Sequence, residues 1–384
     1  MKNSPLSSGA QAHLGWVDAL RVLACLLVVL SHCCDAFVAR FDADRVSFLT
    51  GALTGSAVRP CVPLFAMMTG LLLLPTREGL TAFYRKRIGR IMVPLVFWSL
   101  MLPVLFFTYY TFITPDSQNP LAALGEHQSP DALLTKFYAF LFNFNTDTVP
   151  LWYLYMLIGL YLIMPILSAW LRQATKKELQ VVLGVWVLTL VAPYVQLVAP
   201  MLGYTGNNAD FRLWGACVWN EFGMFHYVSG FTGYLLLAYY LKRFPPAWSW
   251  RRMLAVAIPM FVAGYAITAG GYVMLQAQYP GNYAYLEIVW YFCSINVLMM
   301  TLPVFLIIQK LNPAPRPWLR RLAQYSFGIY LCHFIWVYVT YDVFDTAALP
   351  YWARIAAMCV LTFALSAAVT GLLYALKLTR RLVA

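Results

Sequence analysis

Two ionisable side chains stand inside one apolar run near the start of the chain: Arg21 and His32, within Trp16-Val17-Asp18-Ala19-Leu20-Arg21-Val22-Leu23-Ala24-Cys25-Leu26-Leu27-Val28-Val29-Leu30-Ser31-His32. At 3.6 residues per turn their spacing is three turns plus roughly 20°, so they share a helix face about 16 Å apart along the axis. Ionisable groups at bilayer depth are costly and generally mark a functional path. Here one face presents a fixed cation at one depth and a titratable imidazole at another. Asp35, three residues on, can hold that imidazole in one tautomer, the arrangement that proton transfer uses. Snorkelling of Arg21 and pairing of His32 with a neighbouring helix is the competing structural reading.

Other candidates follow. In Phe83-Tyr84-Arg85-Lys86-Arg87-Ile88-Gly89-Arg90, Arg87 and Arg90 are helix-face neighbours. Paired guanidiniums grip phosphates bidentately; ordinary charge anchoring explains the pair equally well. Arg316, Arg320 and Arg321 can add to the same mouth. Trp152, Tyr153 and Tyr155 open an apolar run from its polar side; they suit either an interfacial belt or stacking on a sugar ring. His333 is a second imidazole within a span, and Glu221 a carboxylate just before one. No Gly-rich phosphate loop, nucleophile elbow or Cys/His metal pattern occurs, which argues against a membrane ATPase, a serine hydrolase and a metal site.

The elements that must position these groups are membrane helices. Of 384 residues, 61% are hydrophobic and 11% charged, far below the roughly 25% charged of soluble domains. Ten apolar runs are long enough to span: 16–38, 53–74, 88–113, 150–170, 179–200, 222–241, 252–275, 285–309, 322–341 and 353–376. Residues 114–149 read as an extracytoplasmic loop holding a short interfacial helix over 135–142. Of the 27 Lys and Arg, twenty fall on one side, six on the other and Arg21 within a span, while twelve of the 15 acidic residues run the opposite way. This positive-inside bias puts both termini in the cytoplasm and explains the net charge of +12 without nucleic acid. Arg21 then lies toward the cytoplasm and His32 toward the outside. Lys2 alone does not make a cleavable signal. Most cysteines read as small apolar core residues, with Cys33 or Cys34 open to pairing with Cys61 or Cys217 on an oxidising side.

These residues resemble the membrane acyltransferase-3 family. The resemblance rests on Val17-Asp18-Ala19-Leu20-Arg21 with His32, Val62-Pro63-Leu64-Phe65 with Thr69-Gly70, the Arg87/Arg90 pair, Leu151-Trp152-Tyr153-Leu154-Tyr155, and Ser326-Phe327-Gly328-Ile329-Tyr330 with His333. It covers nearly the whole chain and is nearest the short, stand-alone members that acylate surface polysaccharides. It implies one all-α, multi-pass domain over residues 1–384 in a bacterial inner membrane. The implied activity moves an acetyl or related acyl group from cytoplasmic acetyl-CoA, or another acyl-CoA, to a hydroxyl of an extracytoplasmic polysaccharide or glycolipid. His32 is then the catalytic base or acyl carrier and Arg21 its partner in the channel. Arg87, Arg90 and Arg321 become acyl-CoA contacts, and Trp152, Tyr153, Tyr155, Glu221 and His333 acceptor contacts. Expected partners are membrane lipids, the acceptor glycan, and either a second copy or polysaccharide-synthesis machinery, with no metal. A transporter of a lipid-linked glycan or exopolysaccharide is the reading from another class.

Overall fold

The computed structural model describes residues 15–122, 129–204, 213–217, 220 and 222–384. Among these the secondary structure is helical apart from an isolated bridge between Cys217 and Asn220. The α-helices are α1 (Gly15–Val38), α2 (Arg45–Ala57), α3 (Cys61–Leu73), α4 (Leu80–Thr108), α5 (Pro130–Ala139), α6 (Trp152–Leu171), α7 (Lys176–Thr189) and α8 (Ala192–Val198). They continue with α9 (Thr232–Arg243), α10 (Trp250–Gln278), α11 (Tyr283–Trp290), α12 (Ile295–Leu311), α13 (Pro317–Asp345) and α14 (Tyr351–Ala375). Among the described residues, nine helical stretches are long and apolar enough to cross a membrane. The protein is thus an all-α polytopic membrane protein.

α1 is the hub, packing against α2, α3, α12, α13 and α14. Small residues let helices approach closely without a hydrophobic driving force between them. A Cβ on Gly70 of α3 would come within 2.3 Å of the Leu235 carbonyl oxygen on α9. One on Gly328 of α13 would meet Thr370 of α14 at 2.4 Å and Val383 at 2.9 Å.

The two ends differ chemically, as the charge sorting requires. At the basic end, Lys and Arg donate to carbonyls in or just beyond helix C-terminal turns, a usual way of satisfying them. Lys242 bonds Leu71 O at 2.7 Å, Arg172 bonds Thr76 O at 2.8 Å, and Arg243 bonds Ala174 O at 3.2 Å. At the other end carboxylates organise the contacts. Asp345 pairs with Arg40 (3.6 Å) and Arg354 (3.8 Å), and Asp342 accepts from Tyr109 (2.8 Å) and Ser117 (2.7 Å). Gly15 packs on Pro313 and Pro315, between the basic ends of α12 and α13.

Several expected runs are interrupted. The run 53–74 is two helices that break at Val58–Pro60, where Pro60 cannot supply a backbone donor. The run 285–309 breaks between Trp290 and Ile295, and a 3-10 turn over Thr146–Leu151 precedes α6. The run 222–241 is α-helical only from Thr232, in a helix to Arg243 about 18 Å long at 1.5 Å per residue, with a 3-10 turn over Gly223–Phe225 before it. In the preceding stretch Gly223 (φ +51°) and Gly230 (φ +77°) take left-handed conformations that an α-helix cannot continue through. The expected interfacial helix 135–142 lies slightly earlier, as α5, with the Ser129 side chain accepting from Ala132 N. All eight cysteines are free thiols, so the disulfide left open by the sequence is not formed.

Candidate active site

Broken helices expose backbone groups that lipid cannot satisfy, so at membrane depth they belong where protein or a cavity covers them. Here the breaks line a cavity of about 680 Å³ on the carboxylate side of the protein. Arg59, Pro150 with Trp152, and Trp290 through Phe292 come from three of the interruptions. From α1 the same cavity receives Ser31, His32 and Asp35.

His32 has the geometry of an oriented base. Its Nδ1 lies 2.8 Å from Asp35 Oδ2. A carboxylate oxygen accepts, so Nδ1 is the donor, and in the neutral ring that tautomer leaves the lone pair on Nε2. The ring is packed 5.3 Å from Phe334 and 5.3 Å from His333, centroid to centroid. His333 is fully buried behind it and does not line the cavity. His333 Nδ1 donates to Tyr330 O at 2.7 Å, and its Nε2 has no hydrogen-bond partner among the described residues.

A second cavity, about 350 Å³, opens at the basic end. Arg21, Arg87 and Arg90 line it with Thr69, Tyr161, Gln324 and Ser326, and no acidic side chain is among its described lining residues. Arg87 Nε is buried with no hydrogen-bond partner among the described residues. Three guanidiniums line one cavity, one of them with a donor that has no partner among the described residues, a set that suits an anion of phosphate type. The two cavities meet at Val28, Val62, Tyr153 and Tyr330, each of which faces both. Tyr153 and Tyr330 stack edge to face at 5.7 Å, and the Tyr330 hydroxyl donates to Pro150 O. The helix spacing on α1 therefore puts Arg21 below this neck and His32 above it.

The sequence candidates separate by the cavity they line. Arg21, Arg87 and Arg90 share the basic cavity; His32 and Trp152 share the outer one; Tyr153 lines both. Trp152 faces inward and stacks on Phe292 (5.6 Å, 15°). Tyr155 and Arg321 line neither cavity: the Tyr155 hydroxyl donates to Phe140 O at 2.8 Å, and Arg321 is exposed. Glu221 lies outside the described residues.

Reading the sequence by loops missed Arg59, Glu287 and Asp147. All three line the outer cavity. Asp147 is ion-paired to Lys136 at 2.6 Å with both side chains largely buried. Arg59, one of the six basic residues on the less basic side, falls inside the apolar run 53–74 and precedes Pro60, which together mark a cation at a helix break.

Among curated proteins and among solved structures, none matches the chain. The family model of the acyltransferase-3 acyltransferase domain matches residues 14–371. With a polytopic fold and paired cavities at opposite ends of one neck, the chain belongs to the acyltransferase-3 family of membrane acyltransferases.

Proposed function

We propose that this acyltransferase takes an acetyl or related acyl group from cytoplasmic acyl-CoA and delivers it to a hydroxyl of a polysaccharide or glycolipid outside a bacterial inner membrane. The observation that carries this reading is the back-to-back pair of cavities. One is lined by three guanidiniums and, among the described residues, by no acidic side chain; the other holds the His32–Asp35 pair. A transporter would have no use for a polarised imidazole at the neck, and family membership favours transfer.

The CoA phosphates sit on Arg87, Arg90 and Arg21, and the pantetheine arm passes between Val28, Val62, Tyr153 and Tyr330. The thioester carbonyl then reaches the level of His32. The acceptor hydroxyl comes from the outer cavity, where Trp152 offers an aromatic face. Its oxygen attacks the carbonyl carbon as its proton moves to His32 Nε2. The tetrahedral adduct collapses, the C–S bond breaks, and the CoA thiolate takes that proton. General-base help of this kind is worth about 10²–10⁴-fold. An acyl-His32 intermediate uses the same geometry, with Nε2 as nucleophile.

The test is purified protein with labelled acetyl-CoA in membranes that carry the native glycans. Wild type is expected to label the glycan fraction, and His32→Ala to bind acetyl-CoA normally while labelling nothing. Transfer by folded His32→Ala at the wild-type rate would sink the reading. Label trapped on wild-type protein in the absence of acceptor distinguishes the two-step route.

A further inference from the structure

The proposed reaction develops negative charge on the thioester carbonyl oxygen, and that charge needs a donor at the level of His32. Arg21 does not reach it. It lines only the basic cavity, about 16 Å down the α1 axis from His32 at 1.5 Å per residue. A cation does stand beside His32, at the α2–α3 break.

Arg59 Nε and Nη2 both donate to Trp290 O, at 3.0 and 2.8 Å, and Nη1 donates to Ser31 Oγ at 3.4 Å. Trp290 ends α11, so this carbonyl belongs to the turn that a helix leaves unsatisfied. The guanidinium carbon lies over the Phe292 ring at 4.2 Å and the Trp290 ring at 5.0 Å. Trp290 is itself fixed by Tyr272, stacked at 3.9 Å, and by a bond from Nε1 to Ser56 Oγ at 3.0 Å. Among the described residues no carboxylate lies within ion-pair distance of Arg59, although Asp35 and Glu287 line the same cavity. The cation is thus held by a carbonyl and two aromatic faces rather than by a counter-ion. Each terminal nitrogen keeps a second N–H beyond the bonds described, and Ser31, which one of them touches, precedes His32 in the chain.

A fixed, charged donor aimed into the cavity stabilises charge as it develops, without reorganising at that moment. We propose that Arg59 is a catalytic residue that donates to the oxyanion of the tetrahedral adduct, with Trp290 and Phe292 holding its guanidinium for that task. The proposal rests on the acyl-transfer reading above. As the hydroxyl oxygen adds to the carbonyl carbon, the C=O π pair moves to oxygen and meets the Arg59 N–H groups. It returns when the C–S bond breaks.

Membranes labelled from [¹⁴C]acetyl-CoA test this with Arg59→Gln, Arg59→Lys and Arg59→Ala. Losing one such donor costs about 10²–10³-fold in kcat. Arg59→Gln is expected to lose rate on that scale while half-saturation by acetyl-CoA stays at the wild-type concentration. Millimolar guanidinium added to Arg59→Ala is expected to restore part of the rate, and isosteric, neutral urea none. Wild-type kcat in Arg59→Gln overturns the assignment. So does a rate loss matched by weaker acetyl-CoA saturation, or a loss that tracks folded protein and resists guanidinium. If wild type itself transfers no label, the acyl-transfer reading fails, whatever Arg59 does.

Discussion

Replacing Asp35 by asparagine isolates what orients the base. Asp35 Oδ2 holds His32 Nδ1 at 2.8 Å, and its side chain is 34% exposed. A hydrogen bond to a charged group contributes about 1.5–3 kcal/mol, and solvent screening at this exposure argues for the lower end. About 1.5 kcal/mol, lost only as the imidazole becomes positive, is about tenfold in rate. Asparagine can also turn its amide N–H toward Nδ1. That would put the ring proton on Nε2 and remove the base, a term worth about 10²–10⁴-fold. The expected outcome is a kcat lower by about 10- to 10³-fold, with half-saturation by acetyl-CoA unchanged because Asp35 lines only the outer cavity. The assay is initial-rate labelling of glycan at several acetyl-CoA concentrations, alongside thermal unfolding. Wild-type kcat in Asp35→Asn, or a loss seen only in acetyl-CoA affinity, refutes the role given to the pair.

Three further outcomes follow from the geometry. Arg87→Ala and Arg90→Ala should each weaken acetyl-CoA binding by about 10- to 100-fold, from the loss of a charge-assisted phosphate contact; Arg321→Ala, which faces neither cavity, should leave it unchanged, and ligand-induced thermal stabilisation measures all three. Gly70→Ala drives a Cβ to 2.3 Å from Leu235 O, so separation of α3 and α9 should cost about 1–3 kcal/mol, read as a lower unfolding midpoint. Lys136→Ala leaves Asp147, 4% exposed, without its counter-ion. Breaking such a pair costs about 3–5 kcal/mol, and Lys136→Ala/Asp147→Asn should recover much of that loss in the same unfolding assay.

Much of the fold was legible because the bilayer makes span length and charge sidedness nearly compulsory. The Arg21–His32 face was legible too, since helical periodicity over eleven residues leaves little angular ambiguity. Helix breaks were harder to read. Hydropathy averages over Arg59 and Glu287 as if each were a loop charge beside an apolar run, whereas both stand at or near interruptions that the outer cavity covers. The run 222–241 is apolar enough to span, but its α-helix starts only at Thr232, after two left-handed glycines. Facing was the other limit. Trp152 and Tyr155 belong to one aromatic cluster in sequence, yet one turns to the cavity and the other is captured by the Phe140 carbonyl. Arg321 shares its charge with Arg87 but not the cavity, because helix order alone does not say which basic ends converge.

Sidedness bears most directly on transfer through the neck. Sealed membrane vesicles of both orientations, given [¹⁴C]acetyl-CoA outside only, separate donor side from product side. Label is expected in glycan on the luminal face when the basic cavity opens outward, and nowhere when vesicles are right-side-out or carry His32→Ala. Equal labelling from both orientations, or product confined to the face that received acetyl-CoA, would contradict passage of the acyl group between the two cavities.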